Sequence, residues 1–259
     1  AHLTLMAIQY GRLRLAAEAA AEALQRLAQE QAAPPPIIGA VYGALGLVHY
    51  EWNDVELARE QLQRGIRLGT LTGHSASVIY SQCNLARLLQ AEGDLTGAAQ
   101  ALEAAGRLLA QGAPGWVRPE LIDQQVSLAL ARGDLASADA RLRESSIAAD
   151  DPVTHHTDRV HLAWMRLLLA RGDASAAGLA HRIIRSAEAG GRHGTLLRAL
   201  ILAARQQANE PRAASAYLQR ALALAEPEGY VRVFLDEGEA IAALLSRVGC
   251  PPWLAQHLP

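Results

Sequence analysis

Hydrophobic and polar positions follow a helical pattern that breaks at regular intervals along the chain. In "VIYSQCNLARLLQAEGDLTGAAQALEAAGRLL" (78–109) one helix stops and another starts at Gly93 and Asp94. Glycine takes the left-handed conformation of a helix C-terminus, and aspartate caps the next helix. The same punctuation returns as "ARGDLASADA" at 131–140 and "ARGDASAAGL" at 170–179, with looser forms at 51–60 and 208–217. Aligning the corner acids Asp54, Asp94, Asp134, Asp173 and Glu210 gives spacings of about 40, 40, 39 and 37 residues. Four residues after each acid stands a small side chain (Ala58, Ala98, Ala138, Ala177, Ala214), and eight after it come Leu62, Leu102, Leu142, His181 and Leu218. Twelve residues before those alanines, in the first helix of each unit, sit Gly46, Ala86, Val126, Met165 and Leu202. An earlier unit fits with Gly11 at its corner and Ala16 in the small-residue slot. Small residues at such crossings let antiparallel helices approach closely, so the early units are expected to be tightly pinched and the later ones wider.

The pattern predicts six helical hairpins over 1–226. It resembles the tetratricopeptide repeat, with Gly-Asp at the corner and small residues at fixed positions, although the period here is about 40 in place of ~34. That resemblance implies an all-α, right-handed superhelix with a concave inner surface, because no single hairpin can bury its apolar faces. Pro, Gly and His in "TGHSA", "GAPGWVRP", "ADDPVTHHTD" and "GGRHG" mark the exits from second helices. After residue 226 the pattern changes, and 227–259 is expected to be a C-terminal helical cap leading towards a linker to a DNA-binding domain that this chain lacks.

The run "ALALAEPEGYVRVFLDEG" (221–238), together with Ala243, Leu244 and Leu245, resembles the end of the helical-repeat region of MalT-like, ATP-dependent members of the LuxR family of bacterial transcription activators. In that family an ATP-binding switch and a winged-helix part precede the superhelix, and a DNA-binding helix-turn-helix comes after it. No GxxxxGK[ST] phosphate loop and no basic recognition helix occur here. The resemblance therefore implies an effector-sensing and protein-contact region cut from a longer regulator, a role for which relatives use sugars or other effectors.

Composition agrees with helices. The chain has 259 residues, of which 51% are hydrophobic and only 4% aromatic, so its apolar content is mostly Ala and Leu. The formal charge of −2 gives no basic footprint for nucleic acid, and this segment alone is not expected to hold DNA. All 24 basic residues are arginine. Cys83 and Cys250 form neither a disulfide framework nor a zinc motif, which favours a cytoplasmic setting. No apolar run is long enough to span a bilayer, so no membrane partner is expected.

Candidate chemistry lies on the inner surface. His155, His156 and His161 lack the i, i+4 spacing of a two-histidine metal site, no Ser or Cys is paired with His in sequence, and no cofactor, metal or catalytic role is expected. Counting from the small residue of each first helix places Tyr80, Cys83, Asn84 and Arg87 on the groove in the third unit. It places Glu120, Asp123, Gln124 and Ser127 there in the fourth, and Arg159 and Arg166 with Leu162 and Ala163 in the fifth. The second unit offers Ala40, Gly43, Ala44 and Leu47 and the sixth Leu196, Ala199, Leu200 and Ala203, so apolar ends should flank a polar centre. Tyr50 and Tyr80 supply aromatic surface, whereas Trp164 reads as core. A small-molecule inducer is therefore expected to bind Tyr50, Tyr80, Asn84, Arg87, Glu120, Asp123, Gln124, Arg159 and Arg166. The alternative is a scaffold whose groove takes a peptide or protein, either another module of the same regulator or a regulatory protein.

Overall fold

The structure, a computed structural model, describes residues 2–30 and 34–258. Six helical hairpins succeed one another: α1 (His2–Gln9) and α2 (Leu13–Glu30), α3 (Ile38–Glu51) and α4 (Val55–Leu71), α5 (Ser75–Ala91) and α6 (Leu95–Ala110), α7 (Arg118–Ala131) and α8 (Leu135–Glu144), α9 (Asp158–Arg171) and α10 (Ser175–Ala189), α11 (His193–Gln206) and α12 (Pro211–Ala225). Among the described residues three short α-helices follow the last hairpin: α13 (Arg232–Leu235), α14 (Glu239–Val248) and α15 (Pro252–Ala255). Among the described residues there is no strand. No described helix is long and apolar enough to cross a membrane.

The corners form as local chemistry requires. Gly93, Gly133 and Gly172 have φ of +85°, +71° and +66°, a region that costs an L side chain energy and glycine little. Asp94 accepts from the Gly97 N–H at 2.8 Å and Asp134 from the Ser137 N–H at 2.9 Å, so each caps the next helix. Asp54 and Glu210 make no such bond. At the Asp54 corner the left-handed residue is Asn53, at φ +66°.

Most of the expected interior positions are buried. Ala58, Ala98 and Ala138 are fully buried, as are Leu62 and Leu142. The early pinch is present: a Cβ on Gly46 would stand 2.5 Å from Cγ of Leu62, and one on Gly65 would stand 2.9 Å from the carbonyl oxygen of Gly39. The fifth hairpin departs from the count. Its small-residue slot holds Ala176 and its next-turn slot Ala180, both buried, while Ala177 is half-buried and His181 is exposed. The cause is a tighter first turn, in which the Ala176 N–H bonds the carbonyl of Asp173, three residues back, where Ala98 bonds Asp94, four back.

Hairpins stack through local cores. Residues of α5, α6 and α7 form one cluster (Ile79, Ala98, Leu121 among them), and residues of α7, α8 and α9 form the next (Val126, Leu142, Leu167). The largest cluster is not local. Ala7, Leu13 and Val48 share it with Leu197 and Leu200 of α11 and with Val231, Val233 and Phe234 after the last hairpin. The two ends of the stack meet here: a Cβ on Gly11 would stand 2.4 Å from the backbone nitrogen of Gly194. Trp52 donates to the carbonyl of Glu228 at 2.8 Å, and the Val231 N–H donates to the carbonyl of Glu51 at 2.7 Å. Ala40, Gly43, Ala44 and Leu47, expected on an open groove, are buried, as are Leu196, Ala199, Leu200 and Ala203. The four of the sixth unit belong to the core that joins the ends, whereas Gly43 packs against Ser81 and Tyr80 of α5.

Candidate functional site

Closure of the stack encloses a cavity of about 460 Å³ between the inner helices and the segment 232–238. Its mouth lies at the C-terminal ends of α5, α7 and α9, where Ala91, Ala131 and Ala170 are exposed and leave it open. Each of these alanines stands three residues before a corner aspartate, so the repeat itself makes a rim of small side chains. The equivalent residue of the second hairpin is Glu51. It is fully buried, and one carboxylate oxygen accepts from Arg87 at 2.7 Å and from Arg198 at 2.5 Å. Burial pushes the Glu51 carboxyl up, but the two guanidinium groups outweigh it and hold it below the usual carboxylate range.

Bridged ion pairs run around the wall. Asp123 holds Arg166 at 3.0 Å and Arg159 at 3.6 Å, and Glu120 holds Arg159 at 3.1 Å. Asp236 holds Arg87 at 2.8 Å and Arg232 at 2.9 Å. Glu237 accepts from Arg166 at 3.4 Å and from Arg205 at 3.1 Å. The segment after the last hairpin thus inserts two carboxylates between arginines of four helices. Tyr50 donates to Asp236 at 2.9 Å, and its ring carries the guanidinium groups of Arg87 and Arg232 at 4.7 and 5.0 Å. Burial, and after it the Asp236 carboxylate, raises the phenol well above its ordinary value and keeps it a donor.

Of the nine residues expected to bind a ligand, Tyr50, Arg87, Asp123, Gln124, Arg159 and Arg166 line the cavity. Tyr80, Asn84 and Glu120 do not: Asn84 donates to the Tyr80 carbonyl at 2.8 Å, and Glu120 lies behind Arg159. Cys83 is buried in the core between α5, α6 and α7. Trp164 is half-buried and donates to the carbonyl of Ile147 at 2.8 Å. His161 is buried with its two ring nitrogens 3.0 and 3.2 Å from the carbonyls of Thr157 and Asp151, while the rings of His155 and His156 touch at a tilt of 43° in the preceding loop.

Counting from the repeat did not find Glu51, Arg198, Arg205, Arg232, Asp236 or Glu237. For Glu51 a signal existed, an acid standing where three other units have alanine. Arg198 and Arg205 repeat the seven-residue spacing of Arg159 and Arg166 if the sixth unit is counted from Ala204 and not Leu202. The corner of that unit, Gln207–Glu210, has no glycine, and counting eight residues back from Glu210 gives Leu202, two residues before Ala204, which misplaces the inner face.

The family described as "MalT-like TPR region" matches residues 1–249. No curated protein matches the chain.

Proposed function

The chain belongs to the family of MalT-like TPR regions, and from that premise we propose that it is the effector-sensing part of a MalT-like, LuxR-family regulator, with a small molecule bound in the axial cavity. The observation that supports this reading is the cavity itself, about 460 Å³ and lined by six arginines that converge from three inner helices and the segment behind them. Its volume lies within the ~300–1,000 Å³ of small-molecule sites. A ligand touching that segment can shift its position at the C-terminal end of the repeats, provided it binds the two arrangements of the segment with different affinity. A protein-binding scaffold needs no such enclosed charged chamber. The role is that of a non-catalytic sensor in the cytoplasm.

Thermal melting against a metabolite library tests the reading. A ligand at 100 times its Kd adds about 2.7 kcal/mol, which is about 5–10 °C for a chain of this size. Ala131→Trp, which places an indole across the mouth from an exposed position, should abolish that shift and leave the unliganded melting temperature close to the parent's. A shift that survives Ala131→Trp would remove the cavity as the site.

A further inference from the structure

Resting on that reading of the cavity, we infer that the effector is a small anion bearing carboxylate or phosphate groups, held by Arg159, Arg166 and Arg205 in competition with the chain's own Glu237. Among the described residues, six guanidinium groups (Arg87, Arg159, Arg166, Arg198, Arg205, Arg232) face five carboxylates (Glu51, Glu120, Asp123, Asp236, Glu237). One positive charge is left over in a partly desolvated space. The hydrogen-bond inventory is more lopsided than the charge. Each guanidinium has five N–H donors and each carboxylate about four lone-pair sites, so roughly thirty donors meet roughly twenty acceptors. Four of the five carboxylates already bridge two arginines each. Donors outnumber acceptors on the wall, although one oxygen each of Glu51, Glu120 and Gln124 is left without a partner.

A neutral sugar fits such a wall poorly, because its hydroxyl protons need acceptors and its ring needs an apolar face. Among the described residues Tyr50 is the one aromatic side chain lining the cavity, its ring carries two guanidinium groups, and its hydroxyl proton goes to Asp236. A cation meets the excess positive charge. The free donors concentrate on one side: the side chains of Arg159, Arg166 and Arg205 are 29%, 21% and 38% exposed, whereas those of Arg87, Arg198 and Arg232 are 15%, 12% and 14%. Gln124 lies on the same wall, 4% exposed, and its unpartnered side-chain oxygen is an acceptor that suits a hydroxyl or a protonated oxygen of the ligand and not an anionic one. The C-terminal ends of α5, α7 and α9 bring partial negative charge to the mouth, but that field fades within the last turn. Arg159 stands three turns deeper on α9, whereas Arg205 lies in the last turn of α11. Planar, bidentate guanidinium groups suit carboxylate and phosphate equally.

Isothermal titration of the chain with inorganic phosphate and citrate, at ionic strength held constant with KCl, tests the inference against lactose and raffinose as neutral probes. One or both anions should bind, and the sugars should not. Arg166→Gln and Arg205→Gln should each weaken anion binding at least tenfold, and Arg205→Gln, at a side chain 38% exposed, should do so with little change in the melting curve. Glu237→Gln should strengthen it several-fold, since it frees two arginines; a residue that only supported the fold would not do so. Binding of phosphate and not citrate, or the reverse, identifies the anionic group. If the neutral sugars bind, Ala131→Trp blocks them and the anions do not compete, the cavity reading stands and the anionic effector is overturned. If neither class binds and no library compound gives a shift sensitive to Ala131→Trp, both readings fall.

Discussion

Glu51 shows what one residue decides. It stands at a position where the repeat otherwise places alanine at the rim, and its side chain is 1% exposed with two arginines on one oxygen. Removing one partner of a buried ion pair costs ~3–5 kcal/mol because the remaining charge is left uncompensated, and Glu51→Ala should fall at the low end of that range since water in the cavity relieves Arg87 and Arg198. The pH dependence has a definite sign. The Glu51 carboxyl is held below its ordinary range, so its contribution is fully present above the unfolded value of about 4.3 and is lost as pH falls through the lower, folded value. Glu51→Gln should therefore be less stable than the parent at pH 7, with the gap closing in acid below about pH 4. Urea midpoints measured from pH 7 to pH 3 check this, and a constant gap would mean that the carboxylate is not ionised in the fold.

Helix crossings are where sequence specifies packing most tightly. Ala98 is fully buried at the crossing of α5 and α6, whereas Gln100, two residues on, is exposed. Ala98→Leu should destabilise by ~1–3 kcal/mol through overpacking, and Gln100→Leu by less than ~0.5 kcal/mol. Equal melting temperatures for the two variants would refute the assigned faces of α6. The fifth hairpin shows how narrow the margin is, because one tighter turn at Asp173 moves the packed face from Ala177 to Ala176. A one-residue slip rotates a helix face by about 100°.

At the scale of the molecule, stacked hairpins would ordinarily contact only their neighbours, so that the two ends would be coupled only through the hairpins between them. Here the segment after the repeats packs Val231, Val233 and Phe234 into a core shared with Leu13 and Val48 near the other end of the chain. This closure should couple the two ends. Phe234→Ala, at a fully buried site against Trp253, should cost ~3–5 kcal/mol and should raise hydrogen exchange in α3 as well as in α13 and α14. Faster exchange confined to α13, α14 and α15 would show that the ends are not energetically joined.

The sequence by itself determined the six hairpins, their corners and most of their crossings. Those features depend on residues within a few positions of one another: a glycine such as Gly93 in the left-handed region, an aspartate such as Asp94 three residues from the N–H it caps, and alanines such as Ala86 and Ala98 at a hairpin's own crossing. It also placed Arg87, Asp123 and Arg166 on one inner wall, because the repeat transmits a single register over three units. Only the tertiary structure decided what those residues meet. Arg87 and Asp236 are separated by 149 residues, and no local pattern links them. The apolar face of the sixth unit looked like open groove until the ends of the stack met and buried it. Local conformation is set by covalent neighbours and survives one-dimensional counting; ion pairs and enclosed space are set by distance, which the chain's closure on itself supplies.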